Sequence, residues 1–231
     1  MVHGAWHGTW CWERVIAELD RRGHTATAVA LPTSGGTQTF VSAIDAAISS
    51  SADTTLVAHS ASGVFAPIVA GRRGVRELVL LAALMPLPGY SWMAQRKALK
   101  SAQHTDCYLR LEPRISIDAH GSTTWPTQDA TELFYHDCEP ADAADAAKRL
   151  RMQDITTFTE PAPPLVKVPT RYVVCTQDRA INRDWAVPTA RERFDATIQE
   201  IDASHSPFWS RPAELAELLI TTTSENRQAV R

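Results

Sequence analysis

Short apolar segments alternate with segments of helical spacing along most of this chain, and this alternation limits the possible folds more than any other feature. Glu77–Leu84 is almost continuously apolar, as is typical of a strand buried on both faces of a parallel sheet. The predicted strands are Thr25–Leu31, Thr54–Ala58, Glu77–Leu84, Thr170–Cys175 and Thr197–Ile201. The sequence therefore predicts an α/β fold with a mostly parallel, doubly wound sheet.

Helical spacing of apolar residues fills the intervals between these strands. The first such segment ends at Gly23, a residue that suits the position just after a helix. The predicted helices are Trp10–Arg22, Phe40–Ile48, Ser62–Arg72, Trp185–Phe194 and the segment from Pro212 to Ile220. Strand and helix thus succeed each other on both sides of the middle of the chain.

Residues 86–164 interrupt the alternation with a mixed segment rich in Pro, Asp and Thr. We expect one helix within it, over Ala141–Met152. The segment is much longer than the ~12–15 residues that loops without secondary structure usually reach. We therefore predict a core domain formed by residues 1–85 and 165–231, with residues 86–164 inserted as a cap over the carboxyl edge of the sheet, where such folds bind ligands.

Composition excludes several classes of function. The chain is 44% hydrophobic and 21% charged with a net charge of −3, and it has no basic stripe, so we expect neither nucleic acid nor a membrane as partner. No signal peptide is apparent at the first residues. The four cysteines lack paired or metal-binding spacing, which predicts free thiols in a cytoplasmic protein without metal or cofactor.

The junction between the strand at 54–58 and the following helix carries a candidate nucleophile, Ser60. Small residues lie two positions before it (Ala58) and two after it (Ser62), as the tight turn of a nucleophile elbow requires. Both replace the glycines of the usual G-x-S-x-G pattern. Ser62 is an alternative nucleophile, but Val64 at its second following position is too large for such a turn.

A candidate base and a candidate acid follow the last two predicted strands. His205 comes after the strand Thr197–Ile201, and Asp178 comes after the strand Thr170–Cys175. This gives the chain order nucleophile, acid, base, in which the carboxylate orients the imidazole. Asp202 is a rival acid, but it lies on the strand of the base itself. The strand ending at Leu84 is followed by no carboxylate, which also favours Asp178.

The chain resembles the α/β-hydrolase branch that contains plant methyl-ester esterases and hydroxynitrile lyases, together with many bacterial relatives. The motifs that carry the resemblance span nearly the whole chain: Val-His-Gly-Ala-Trp-His-Gly at 2–8, Trp-Cys-Trp at 10–12, the elbow around Ser60, Leu-Leu-Ala-Ala-Leu-Met-Pro at 80–86, the run at 172–181 and Ser-His-Ser-Pro-Phe at 204–208. The resemblance implies an α/β-hydrolase fold with a cap, a small apolar pocket, no cofactor and often a homodimer.

Further site residues follow from this resemblance by position. The backbone amides of Ala5 and Ala61 would form the oxyanion hole. Trp6 and Phe208 flank the oxyanion loop and the base and are expected to line the pocket, with Trp125 of the cap as a third candidate for substrate binding.

Three positions separate this chain from the lyases of the branch. It has Gly4, His59 and Ser206 where those lyases have threonine, glutamate and lysine, so cyanohydrin cleavage is not expected. A serine at 60 also argues against haloalkane dehalogenases and epoxide hydrolases, whose nucleophile is an aspartate. The sequence therefore predicts a serine hydrolase that cleaves a small, largely apolar ester or lactone.

Two alternatives stay open at this point. A tailoring enzyme with the same triad would catalyse cyclisation, lactone opening or demethylation with decarboxylation. A hydrolase-fold receptor would bind its ligand without turnover, since a fold alone does not determine function.

Overall fold

A computed structural model describes residues 1–50, 52–154 and 159–221 of the 231-residue chain. The predicted core segment 165–231 therefore lies within the described residues only as far as Thr221. The strands are β1 (Thr55–His59), β2 (Glu77–Leu81), β3 (Ser116–Ile117), β4 (Ser122–Thr124), β5 (Gln153–Asp154), β6 (Thr170–Cys175) and β7 (Thr197–Ile201).

The helices cover both faces of the main sheet and much of the middle of the chain. They are α1 (Glu13–Arg21), α2 (Thr37–Ala46), α3 (Ala66–Arg73), α4 (Trp92–Gln103), α5 (Asp106–Leu111), α6 (Thr127–Phe134), α7 (Pro140–Lys148), α8 (Arg183–Phe194), α9 (Pro207–Ser210) and α10 (Pro212–Ile220). Short 3₁₀ helices span Thr9–Trp12, Ser60–Val64 and Glu112–Arg114.

The main sheet is parallel, with strand order β1-β2-β6-β7. All residues of β2 and β6 are buried, as expected for central strands with helices on both faces. The predicted α/β-hydrolase fold with a parallel sheet and flanking helices is therefore confirmed. All four strands end on the same edge, so the loops that follow them meet there.

One predicted strand is reduced to a single bridge. The segment Thr25–Leu31 pairs with the sheet only where Val29 lies beside Val2, and the Val29 amide donates to the Met1 carbonyl over 2.9 Å. Val2 also pairs with Ala58 of β1. The apolar pattern placed Val29 correctly against the sheet, but the predicted strand as a whole did not form.

The middle segment, residues 86–164, has more regular structure than its composition predicts. Besides α7, which lies close to the predicted helix Ala141–Met152, it contains α4, α5 and α6 and a small antiparallel sheet of order β3-β4-β5. These elements are short and several lack a strong periodic pattern, so sequence spacing alone does not identify them. Among the described residues no helix is both long and apolar enough to span a membrane.

Candidate active site

Ser60 lies in a strained turn between β1 and the 3₁₀ helix Ser60–Val64. Its φ is 51°, a left-handed conformation that non-glycine residues adopt rarely and mainly where surrounding structure enforces it. Gly63 permits this turn to approach the segment that follows β2, because a Cβ at position 63 would lie 2.1 Å from the Leu84 carbonyl oxygen. Leu84 in turn donates its amide to the Ser60 carbonyl over 2.9 Å. The backbone therefore presents Ser60 as a nucleophile elbow does.

Gly4 lies against the elbow from the other side. A Cβ at this position would lie 2.8 Å from the Ser60 Cβ and 2.9 Å from the His59 Nδ1. Any side chain at position 4 would therefore displace the serine or the histidine beside it. This steric limit gives a physical reason for a glycine at position 4, where the lyases of the branch have a threonine.

His205 reaches Ser60 from the loop after β7. Its Nε2 lies 3.0 Å from the Ser60 Oγ, and only 2% of its side chain is exposed. The His59 ring holds this loop from below, since its Nε2–H donates to the His205 carbonyl over 2.9 Å. Burial lowers the pKa of His59 well below its usual value, so that ring stays neutral beside the base.

Asp178 lies on the far side of His205. Its Oδ2 is 2.9 Å from the His205 Nδ1, and its Oδ1 accepts the amides of Ala180 over 2.7 Å and Ile181 over 3.1 Å. Because a carboxylate only accepts, the proton of His205 must be on Nδ1, which leaves Nε2 free to accept from the Ser60 hydroxyl. The structure thus brings Ser60, His205 and Asp178 into one continuous hydrogen-bonded chain.

The two rival residues have other partners. The buried Ser62 hydroxyl donates to the His59 carbonyl over 2.8 Å and lies 3.2 Å from the Val2 carbonyl. The Asp202 carboxylate accepts from the Thr176 hydroxyl and from the side-chain amide of Gln177. Neither Ser62 nor Asp202 is therefore placed to exchange a proton with His205.

A cavity of about 470 Å³ lies beside Ser60 and His205. Ser60, His205, Ala5 and Ala61 line it together, so the two amides predicted for an oxyanion hole belong to residues on the wall beside the serine. Trp6 lines the same wall, as predicted, with a φ of 63°.

The other two aromatic candidates lie behind the wall. Phe208 is fully buried and packs edge-on against His59, with ring centroids 4.9 Å apart. Trp125 packs against Trp6 and Phe134, with centroid distances of 5.7 Å and 5.6 Å. The sequence analysis expected Phe208 and Trp125 to line the cavity, but neither does. Trp125 packs against two residues that line the cavity, whereas Phe208 packs against His59, which does not.

The middle segment contributes further residues to the cavity wall, and sequence reasoning missed several of them, such as Arg96, Tyr108 and Glu112. Trp92, Tyr108 and Phe134 supply aromatic surface, and Arg96 and Glu112 form an ion pair on the wall. His104 is buried and stacks on Tyr108 with ring centroids 4.1 Å apart. Helical spacing can show at best which side of α4 is apolar. Which residues face the cavity is visible only in the packed structure.

Comparison with known proteins identifies the fold family. A sequence model of the "Alpha/beta hydrolase family" matches residues 1–218. The chain belongs to the alpha/beta hydrolase family. Among its relatives, Esterase PIR7B from Oryza sativa subsp. japonica is 33% identical, over 95% of this chain and 93% of the relative. Methylesterase 7 from Arabidopsis thaliana is 28% identical, over 95% of this chain and 94% of the relative.

Solved structures of alpha/beta hydrolases superimpose on nearly the whole chain. The crystal structure of polyneuridine aldehyde esterase matches with a TM-score of 0.79 at 19% identity, covering 95% of this chain and 96% of the other. At this identity the likeness shows the fold alone. Together with the sequence relatives, it confirms the predicted resemblance to the plant methylesterase branch of the family.

Proposed function

We propose that this alpha/beta hydrolase cleaves a small, largely apolar carboxylic ester or lactone through an acyl-enzyme on Ser60. The observation that carries the proposal is the chain from the Ser60 hydroxyl through His205 to Asp178, with contacts of 3.0 Å and 2.9 Å. Relatives named as methylesterases and esterases support action on an ester bond.

The geometry supports a two-step reaction. His205 accepts the Ser60 proton as the serine oxygen attacks the ester carbonyl, and Asp178 stabilises the imidazolium that forms. His205 then gives that proton to the leaving alcohol. In the second step a water molecule, deprotonated by His205, attacks the acyl-enzyme and releases the acid.

Two backbone amides would stabilise the negative charge on the carbonyl oxygen in both steps. We assign this role to the amides of Ala5 and Ala61, because both residues lie on the cavity wall with Ser60. Backbone donors suit the role because they are held in place before the charge develops. Loss of one such donor costs roughly 10²–10³ in kcat in well-studied hydrolases.

The cavity supports a small, mostly apolar substrate. Its volume of about 470 Å³ falls in the range of ordinary small-molecule sites, and Trp6, Trp92 and Phe134 make much of its wall aromatic. The Arg96–Glu112 ion pair is already internally neutralised, so it gives no reason to expect a charged substrate.

The test is a comparison of wild type with Ser60→Ala on 4-nitrophenyl butyrate, with products identified by mass spectrometry. We expect Ser60→Ala to lower kcat by roughly 10⁴–10⁶ while the protein keeps its Tm. Free acid and alcohol as products support hydrolysis, whereas a cyclised or decarboxylated product from a candidate metabolite would favour the tailoring alternative. Turnover by Ser60→Ala close to wild type would overturn the proposal.

A further inference from the structure

Two buried histidines hold the peptide groups on either side of Ala5. The His3 Nδ1 lies 2.9 Å from the Gly4 carbonyl oxygen, and the His7 Nδ1 lies 2.9 Å from the Ala5 carbonyl oxygen. A carbonyl oxygen can only accept, so each ring carries its proton on Nδ1. The Gly4 carbonyl and the Ala5 amide belong to one planar trans peptide and point in opposite directions. The His3 bond therefore fixes the direction of the Ala5 N–H, and the His7 bond fixes the peptide plane that follows, so that Ala5 is anchored on both sides.

His7 is held in turn by a residue of the middle segment. With its proton on Nδ1, the His7 Nε2 must accept, and the Tyr135 hydroxyl lies 2.7 Å from it. Tyr135 is fully buried just after α6. Burial lowers the pKa of His7 to about 3 and raises the pKa of the Tyr135 hydroxyl well above its usual value. Both groups are therefore neutral, and the bond runs from tyrosine to histidine.

The conformation held by these bonds is not one that the loop would favour alone. Trp6 follows Ala5 with a φ of 63°, in the left-handed region that a large side chain rarely occupies. Its carbonyl accepts the Arg151 amide over 2.6 Å, and its indole N–H donates to the Thr123 hydroxyl over 3.0 Å. Contacts from the middle segment therefore hold the strained residue through both its backbone and its side chain.

We propose that Tyr135 is a positioning residue for the oxyanion hole, which holds His7, and through it Ala5, in the orientation that binds a developing oxyanion. The inference rests on the proposed function, since it requires acyl transfer at Ser60. Tyr135 does not line the cavity in which the ester would bind. Its hydroxyl should therefore affect the stability of the transition state and not the binding of the substrate.

The test is Tyr135→Phe, which keeps the buried ring and removes only the hydroxyl. The matched control is Thr170→Val, which also removes one buried hydroxyl: Thr170 donates to the Val168 carbonyl over 2.8 Å at the first residue of β6, the end of the strand away from the site. Steady-state kinetics on 4-nitrophenyl butyrate are combined with two inhibitors. An aryl trifluoromethyl ketone forms a tetrahedral oxyanion on the serine, and butyrate binds as the product.

We expect Tyr135→Phe to lower kcat about tenfold, the equivalent of about 1.4 kcal/mol in the barrier, with KM and the affinity for butyrate within about twofold. Affinity for the trifluoromethyl ketone should fall by the same factor as kcat/KM. Thr170→Val should lose similar thermal stability and keep its kcat.

Three results would overturn the proposal: an unchanged kcat in Tyr135→Phe, a loss confined to KM, or an equal loss of kcat in Thr170→Val. Ser60→Ala distinguishes a failure of the role proposed for Tyr135 from a failure of the proposed function. If it is inactive while Tyr135→Phe behaves as wild type, only the role of Tyr135 fails. If Ser60→Ala retains turnover, the proposed function itself fails.

Discussion

The sheet region (residues 1–85 and 165–221) and the middle segment (residues 86–164) make different contributions to the site. The sheet region places Ser60, Asp178 and His205 on loops at one edge of its parallel strands. The middle segment supplies much of the aromatic wall opposite them. On the proposed function, the reacting groups lie in the sheet region and much of the substrate wall lies in the middle segment, with Tyr135 and Trp6 as exceptions. Most substitutions in the two parts should therefore affect different kinetic quantities.

The largest effect should come from the acid in the sheet region. Asp178→Asn keeps the shape of the side chain but cannot hold the His205 imidazolium, so we expect kcat to fall by about 10⁴ with a small change in KM. The matched control is Asp202→Asn, because Asp202 bonds to Thr176 and Gln177 instead of the base. Equal losses in the two variants would contradict the assignment of the acid.

A wall residue of the middle segment should change selectivity instead. Trp92→Ala enlarges the cavity, and we expect kcat/KM to rise for longer acyl chains relative to acetate by roughly 10–100-fold. The control is Leu99→Ala on the same helix, since Leu99 is exposed and absent from the cavity wall. A 4-nitrophenyl ester series measures both. An unchanged chain-length profile in Trp92→Ala would show that α4 does not shape the acyl site.

The smallest effect concerns stability and again separates the two regions. Burial lowers the pKa of His3 to about 4 and of His7 to about 3, from about 6.5 in the unfolded chain. The unfolded state therefore binds more protons below pH 6.5, and stability present above that pH is lost as the pH falls towards 4. Each histidine should contribute about 1.4 kcal/mol per pH unit to the loss.

Urea unfolding at pH 6 and pH 5 measures this loss. In His7→Asn, the free energy of unfolding should fall less steeply with decreasing pH, by the contribution of one histidine. His120→Gln, at an exposed position of the middle segment, should leave the slope unchanged. A free energy of unfolding that stays constant between pH 6 and pH 5 would contradict the burial of neutral histidines around the oxyanion loop.

The same division explains what the sequence could predict. β6, β7 and α10 have the predicted bounds, and Ser60, Asp178 and His205 each follow the strand from which they were assigned. These features depend on local pattern and on the order of elements. Thr25–Leu31 joins the sheet only through the bridge between Val29 and Val2, a tertiary pairing that the apolar pattern of the segment does not determine.

The cavity wall depends on contacts between residues far apart in the sequence. Tyr135 and His7 lie 128 positions apart, yet their side chains are hydrogen bonded. Phe208 was placed correctly beside the base in the sequence, but its ring turns into the core beneath His59. Rotamers and packing of this kind leave no periodic signal, so the chemistry of the site was easier to predict than its shape.

Labelling with a fluorophosphonate probe tests the central claim most directly, because the probe reacts with an activated serine and reports its position. After digestion, mass spectrometry should locate a single modification on Ser60, and Ser60→Ala should not be labelled. Modification of another serine, or labelling of Ser60→Ala at the wild-type rate, would contradict the assignment of Ser60 as the nucleophile.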